Sequence, residues 1–261
     1  MSKLYTSLLH MPKVLVFLAG LISSGVGYAD AQSPPFPPLA VPGGTVVFGM
    51  KPVLEQEGSP HPDMGLSISF LNSSTGALKF VERLPYIADA GQIQDAFMAN
   101  TSEDEQELFL IHSVAFRASG GVSLGSDYYT VLAYRRDNGS FVQDKALSEY
   151  FGSGADIIKF RGNVESHVYT YPFKTRKDIL RQLTRASYRQ WAPGVPITRT
   201  VGAKVPIYSM QSTSGDTGMY LIKGDRVLQE KFSAGWVSIR YVTKKNKEIR
   251  GWVLCEGIAG C

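Results

Sequence analysis

Short β-branched and aromatic runs, each ended by a turn within about ten residues, recur from Thr45 almost to the end of the chain. Runs of this length cannot stand alone as helices and must pair with one another, so they point to a strand-rich protein. The strongest are Glu107–Phe116 (ELFLIHSVAF) and Asp127–Tyr134 (DYYTVLAY). Thr45–Phe48, Gly65–Leu71 and Ala77–Val81 add β-branched or alternating patterns, and a polar turn over Asn72–Gly76 separates the last two. Asn138-Gly139, a favoured hairpin dipeptide, turns the chain before Phe141-Val142. Helical patterns are placed at Gly91–Met98, Lys145–Phe151 and Arg176–Gln190. The fold class expected is mainly β with an α+β character: a strand-rich domain over residues 45–196, then a smaller β module over 197–261.

Before these elements, residues 1–31 have the plan of a secretory signal. Lys3 and Lys13 supply the positive region, Val14–Ile22 the apolar stretch, and Ala29-Asp30-Ala31 a small-x-small cleavage site. The apolar stretch falls well short of the roughly 20 residues that span a bilayer, so no stable membrane span is expected once the signal is removed. Residues 32–44, which contain Pro34, Pro35, Pro37, Pro38 and Pro42, read as an extended leader rather than a helix or strand. A periplasmic or secreted location follows. The two cysteines, Cys255 and Cys261, agree with it, because in an oxidising compartment they can close a short loop and pin the chain end. A metal site would need further ligands, and no His lies nearby in sequence. The formal charge of +4, from 27 Lys and Arg against 23 Asp and Glu, is too small to favour nucleic acid as a partner.

Within residues 197–261 five short strands are expected at Val205–Tyr208, Met219–Ile222, Arg226–Lys231, Gly235–Val242 and Arg250–Val253. Ile207-Tyr208-Ser209, the run from Tyr220 to Val227, Gly235-Trp236-Val237 and Gly251-Trp252-Val253 occur there in order. This region resembles the bacterial SH3-like domain. The resemblance implies a small barrel and the recognition of cell-wall or other peptides in a groove lined partly by aromatic side chains. Tyr208, Tyr220, Trp236 and Tyr241 are the ligand-binding candidates on that basis, while Trp252 is expected in the core.

Such domains often accompany cell-wall peptidases, which makes a catalytic set worth seeking. No Cys occurs between residues 32 and 254, and the three His of that span, His61, His112 and His167, form neither H-E-x-x-H nor H-x-H. Gly121-Val122-Ser123-Leu124-Gly125 matches G-x-S-x-G, but the run after it reads as a strand where a nucleophile elbow requires a helix. A hydrolase would use Ser123 with Asp156 and His167, or a carboxylate pair such as Asp156 and Glu165. The carboxylates of Glu103–Glu107 read as a solvated turn. Lys177, Arg181, Arg185 and Arg189 recur every four residues and would form one basic helical face toward an anionic partner. No cofactor motif occurs. The reading with most support is an exported binding protein without catalysis, recognising a cell-envelope peptide, peptidoglycan or an envelope protein. One version is an immunity or inhibitor protein that blocks a toxin.

Overall fold

The computed structural model describes residues 34–56, 58–115, 123–161, 164–191 and 195–261. The secretory-signal pattern of residues 1–31, Gly121 and Val122 of the G-x-S-x-G match, and residues 192–194 before the C-terminal module lie outside the described residues.

Alternation decides how the fold begins. β1 (Leu39–Val41), β2 (Gly44–Pro52), β3 (Met64–Asn72) and β4 (Leu78–Arg83) form one antiparallel sheet in that order. Val46 and Phe48 of β2 and Leu66, Ile68 and Phe70 of β3 share its buried face. The leader is therefore partly a strand. Leu39, Ala40 and Val41 keep their amide N–H groups between Pro38 and Pro42, and an edge position tolerates prolines on either side. Phe36 also packs edge-on against Phe48, with ring centres 5.2 Å apart.

A second sheet is built from β5 (Gln92–Asn100) and β6 (Gln106–Val114). After β7 (Ser123–Leu124), which joins a different sheet, it continues with β8 (Tyr128–Asp137), β9 (Ser140–Gln143) and β10 (Ser153–Gly154). Its order is β10-β8-β6-β5, with β9 paired to β8. The β8–β9 turn places Asn138 at φ 43° and Gly139 at φ 73°, the left-handed pair that Asn-Gly favours. β6 is buried from Glu107 to Val114 because both of its faces are covered. Leu108 and Leu110 meet the first sheet, whereas Phe109 and Ile111 face the helices and the C-terminal strands.

β5 replaces the helix expected at Gly91–Met98. A bulge between Ile93 and Asp95 adds one residue, so Ile93 and Ala96 point into the same core three positions apart. That spacing imitates a helical stripe.

The helix expected at Lys145–Phe151 is present as α1 with those bounds, its first turn capped by Asp144 Oδ1, which accepts from Leu147 N at 2.8 Å. The expected helix over 176–190 is two helices, α2 (Arg176–Leu183) and α3 (Ala186–Trp191). Thr184 ends the first: its hydroxyl donates to the Arg181 carbonyl at 2.8 Å, in competition with the helical ladder. The break lets Tyr188 and Trp191 both pack on Tyr150, with ring centres at 5.5 and 4.4 Å.

β11 (Ile157–Arg161) and β12 (Val164–Tyr169) form a hairpin absent from the sequence reading, and with β7 they make a sheet of order β12-β11-β7. The C-terminal residues form six strands: β13 (Ile197–Thr200), β14 (Val205–Tyr208), β15 (Asp216–Leu221), β16 (Arg226–Ser233), β17 (Trp236–Val242) and β18 (Glu248–Leu254). Their order is β13-β16-β17-β18-β14-β15, so β13 adds to the five expected. Pro34–Cys261 form one compact unit. A single core cluster joins Phe97, Phe109 and Val131 of the second sheet, Tyr150 and Ile179 of the helices, and Phe232, Trp236 and Val253 of the C-terminal strands.

Candidate functional site

A cleft of about 740 Å³ lies between β12, the α2–α3 corner and the C-terminal turn. One wall contains His167, Val168 and Tyr169 in succession. A bulge at this point leaves Val168 as an extra residue opposite Ile157 and Ile158, which breaks the alternation of β12 and lets His167, Val168 and Tyr169 line the cleft together. Among the described residues β12 is the last strand of its sheet, and no described strand pairs with its edge away from β11. The second wall is the helical corner, with Gln182, Arg185, Ala186 and Ser187. Opposite stand Leu254, Ile258 and the Cys255–Cys261 disulfide. The backbone clasps this last turn to β13 and the residues after it: Ala259 N donates to the Thr200 carbonyl and Gly202 N to the Gly257 carbonyl, both at 2.9 Å.

The polar groups of the helical corner are only partly satisfied. Gln182 Nε2 donates to the Tyr150 hydroxyl at 2.6 Å. Burial pushes the Tyr150 phenol up to about 12, against the pull of the Gln182 hydrogen bond and the positive charges of Arg185 and Arg199. Ser187 is 6% exposed, and its hydroxyl has no hydrogen-bond partner among the described residues. Arg199, 7% exposed, lies behind the wall. Its Nε donates to Gln229 Oε1 at 2.9 Å and its Nη1 to the Gly260 carbonyl at 3.0 Å, while Nη2 has no partner among the described residues. Desolvation pulls the pKa of this guanidinium down. No described carboxylate forms an ion pair with Arg185 or Arg199. Glu256, on the disulfide turn, supplies a negative charge to the opposite wall.

The four aromatic candidates are not brought together. Tyr208 and Trp236 are 6% and 2% exposed and pack edge to face at 5.2 Å, with Trp236 also 5.4 Å from Tyr169. They hold the C-terminal strands to β12 and leave no free face for a ligand. Tyr220 is 54% exposed under the Lys204 ammonium, 4.0 Å from its ring centre, and the Tyr241 hydroxyl donates to Asp225 at 3.2 Å. Trp252, expected in the core, is half-buried.

The basic side chains also disperse. Arg181 pairs with Asp178 at 2.6 Å, and Lys177 is exposed on α2. Arg185 lines the cleft, whereas Arg189 lines a separate hollow beside Asn100 and Tyr188. A single face every four residues requires one continuous helix, and the break at Thr184 removes it. Leu180 of α2 is exposed as well.

Ser123, Ile158 and His167 occupy one cross-strand row of the β7-β11-β12 sheet. Two strand spacings therefore separate Ser123 from His167, roughly 10 Å, with Ile158 between them. The Asp156 carboxylate is engaged by other groups: it accepts from Tyr171 N at 2.9 Å and pairs with Lys174 at 2.5 Å. Glu165 faces His167 at 3.5 Å, both side chains about half exposed. The structure assembles neither the Ser123 set nor an Asp156–Glu165 pair. Among the described residues no group of three or more His, Cys, Asp or Glu is placed to hold a metal ion. Nor is any described helix long and apolar enough to cross a membrane.

The groups that do converge, namely the β12 edge, Gln182, Ser187 and Arg199, went unnoticed in the sequence. One sign of β12 was there: Gly162-Asn163, a hairpin dipeptide, divides Ile157-Ile158 from Val168-Tyr169. Comparison of the chain with protein-family profiles, with curated proteins and with solved structures gives no match.

Proposed function

We propose that the protein is an exported binding protein, without a reaction of its own, that takes up an extended peptide of a cell-envelope partner as an added strand along β12. The observation that carries this reading is the open edge of β12 lying along the cleft. Unpaired N–H and C=O groups on a strand edge bind an extended chain through its backbone, and side pockets select its residues. Phe173, Phe232, Leu254 and Ile258 supply apolar lining for such pockets. The Cys255–Cys261 disulfide in the opposite wall fits an oxidising compartment, in keeping with the signal pattern of residues 1–31. The resemblance of the C-terminal residues to the bacterial SH3-like domain supports a peptide ligand as well. The binding site of this reading is the junction of that module with β12 and the helices, rather than a groove on the module alone.

Co-sedimentation with purified peptidoglycan tests the reading, with Ala186→Trp as the variant. Ala186 is exposed and lines the cleft, so the indole fills the cleft without disturbing the core. Saturable binding that Ala186→Trp abolishes places the partner peptide in the cell wall. Without wall binding, the partner is a protein, an envelope-targeting toxin first, and Ala186→Trp should then abolish capture of that protein. Wall or protein binding that is indifferent to Ala186→Trp would remove the cleft from the function.

A further inference from the structure

The helical corner of the cleft has a chemistry distinct from the strand edge. Ser187 presents a buried hydroxyl without a partner among the described residues, and natural structures leave few such groups unsatisfied. Gln182 uses one amide N–H on Tyr150 and retains a second. Arg185 lines the same corner with no ion-pair partner among the described residues. Behind it, the Arg199 guanidinium rests on two neutral acceptors, one of them the carbonyl of Gly260, which itself lines the cleft. A buried cation that lacks a counter-charge favours an anion nearby. Each of these side chains offers a donor, which suits a ligand group made only of acceptors, and an ionised carboxylate is such a group. Glu256, the one Asp or Glu lining the cleft, sits on the disulfide turn and not at this corner.

Resting on the proposal that the cleft holds an extended peptide, we infer that the corner formed by Ser187, Gln182 and Arg185 is the subsite for the free C-terminal carboxylate of that peptide. Arg185 supplies the charge-assisted hydrogen bonds, and Ser187 and Gln182 fix the orientation. The Arg199 charge makes the potential of the corner more positive without touching the ligand. The peptide would thus run along β12 and end at the helices, which restricts its partners to chain ends.

The test is an NMR titration of the chain with N-acetyl-Ala-Leu-Ala-Leu-Ala as the free acid and as the C-terminal amide, following the side-chain N–H signals of Gln182 and Arg185. The acid is expected to bind at least ten-fold more tightly and to shift both signals. Arg185→Ala should reduce the preference for acid over amide to less than two-fold. Ser187→Ala, which removes a hydroxyl that bonds no described residue, should weaken the acid several-fold and leave the amide unchanged. Equal affinity for acid and amide, with the cleft signals still moving, would overturn the subsite while the cleft remained a peptide site. Tight binding of N-acetyl-Ala-Asp-Ala-Leu-Ala amide, matching the acid, would overturn the chain-end assignment. Failure of all these peptides would overturn the subsite too, and the Ala186→Trp experiment judges the cleft separately.

Discussion

The two faces of the central sheet are covered in different ways. On one face Leu108, Leu110, Leu132 and Tyr134 meet Val46, Phe48, Ile68 and Phe70 of the first sheet in an aliphatic and aromatic sandwich. On the other, Phe109, Ile111 and Val131 meet three short helices and the C-terminal strands. Two stacked sheets present matched ridges and fill the space between them. Short helices meeting a curved sheet at a corner leave gaps, and polar groups line them. Among the described residues Glu107 Oε2, Ser187 Oγ and Arg199 Nη2, buried and without partners, belong to this second side, as does the cleft, while the sandwich side has His112 Nδ1 on the Leu108–Leu110 face of β6. The candidate site is therefore a consequence of packing unlike elements, while the sandwich side is support.

The difference can be broken most forcefully at Trp236. If the C-terminal strands share one core with the second sheet, Trp236→Ala should destabilise the whole chain by about 3–5 kcal/mol. A single denaturation transition at lower urea would report it. Two separate transitions, with the second sheet unaffected, would show that the C-terminal strands fold independently. The same sharing makes deletion of residues 197–261 unsuitable as a binding control, because it would strip cover from Phe109 and Tyr150.

Next in size is the disulfide that closes the cleft wall. Replacing Cys255 and Cys261 by Ser should lower stability by about 2 kcal/mol, the entropy of so short a loop. Because Ala259 and Gly257 hold Thr200 and Gly202 through that turn, hydrogen exchange at the Ala259 and Gly202 amides should quicken more than exchange anywhere in β2 or β3. Equal acceleration on both sides of the central sheet would contradict the division drawn between them.

Glu107 sharpens the comparison through pH. Its carboxyl is pushed up to about 7, first by burial and then by the negative charges of Asp144 and Glu105, against the pull of Arg135. Tyr188 of α3 also senses its charge. Its folded pKa lies above the ordinary 4.5, so the folded state holds the proton more firmly than the unfolded one. This contribution to stability is complete below about 4.5 and is lost as pH rises through about 7. Glu107→Gln should flatten that part of the pH–stability curve and stabilise the protein at pH 8 by on the order of 2 kcal/mol. An unchanged slope between pH 5 and 8 would show that Glu107 is already paired.

How much of this was legible in the sequence depended on whether a feature is local. The β2–β3 alternation, the Asn138-Gly139 turn, the Lys145–Phe151 helix and the Cys255–Cys261 bridge are local, and they appear in the structure as read. β5 escaped because its bulge gave Ile93 and Ala96 a helical interval. Trp236 and Tyr208 were legible as barrel aromatics, yet which barrel face is covered depends on Tyr169, which lies far earlier in the chain. The cleft was illegible for the same reason. An edge is defined by the neighbour a strand lacks, and no property of Val164–Tyr169 alone announces that β12 is last in its sheet.

The smallest effect separates the basic residues from one another. On one continuous helix, Lys177, Arg181, Arg185 and Arg189 would act together, and losing any of them would weaken an anionic partner similarly. In the structure only Arg185 reaches the cleft. Lys177 is exposed, Arg181 is tied to Asp178, and Arg189 lines the other hollow. Replacing Lys177, Arg181 and Arg189 together by Gln should change stability by less than about 0.5 kcal/mol per site, as exposed substitutions do. It should leave the affinity for the free-acid peptide within two-fold of the parent at moderate salt, where charges outside the cleft are screened. Arg185→Gln should match the triple variant in stability and lose the affinity. A triple variant that loses affinity as Arg185→Gln does would restore the continuous basic face and move the anionic partner from the cleft to the outer surface of the helices.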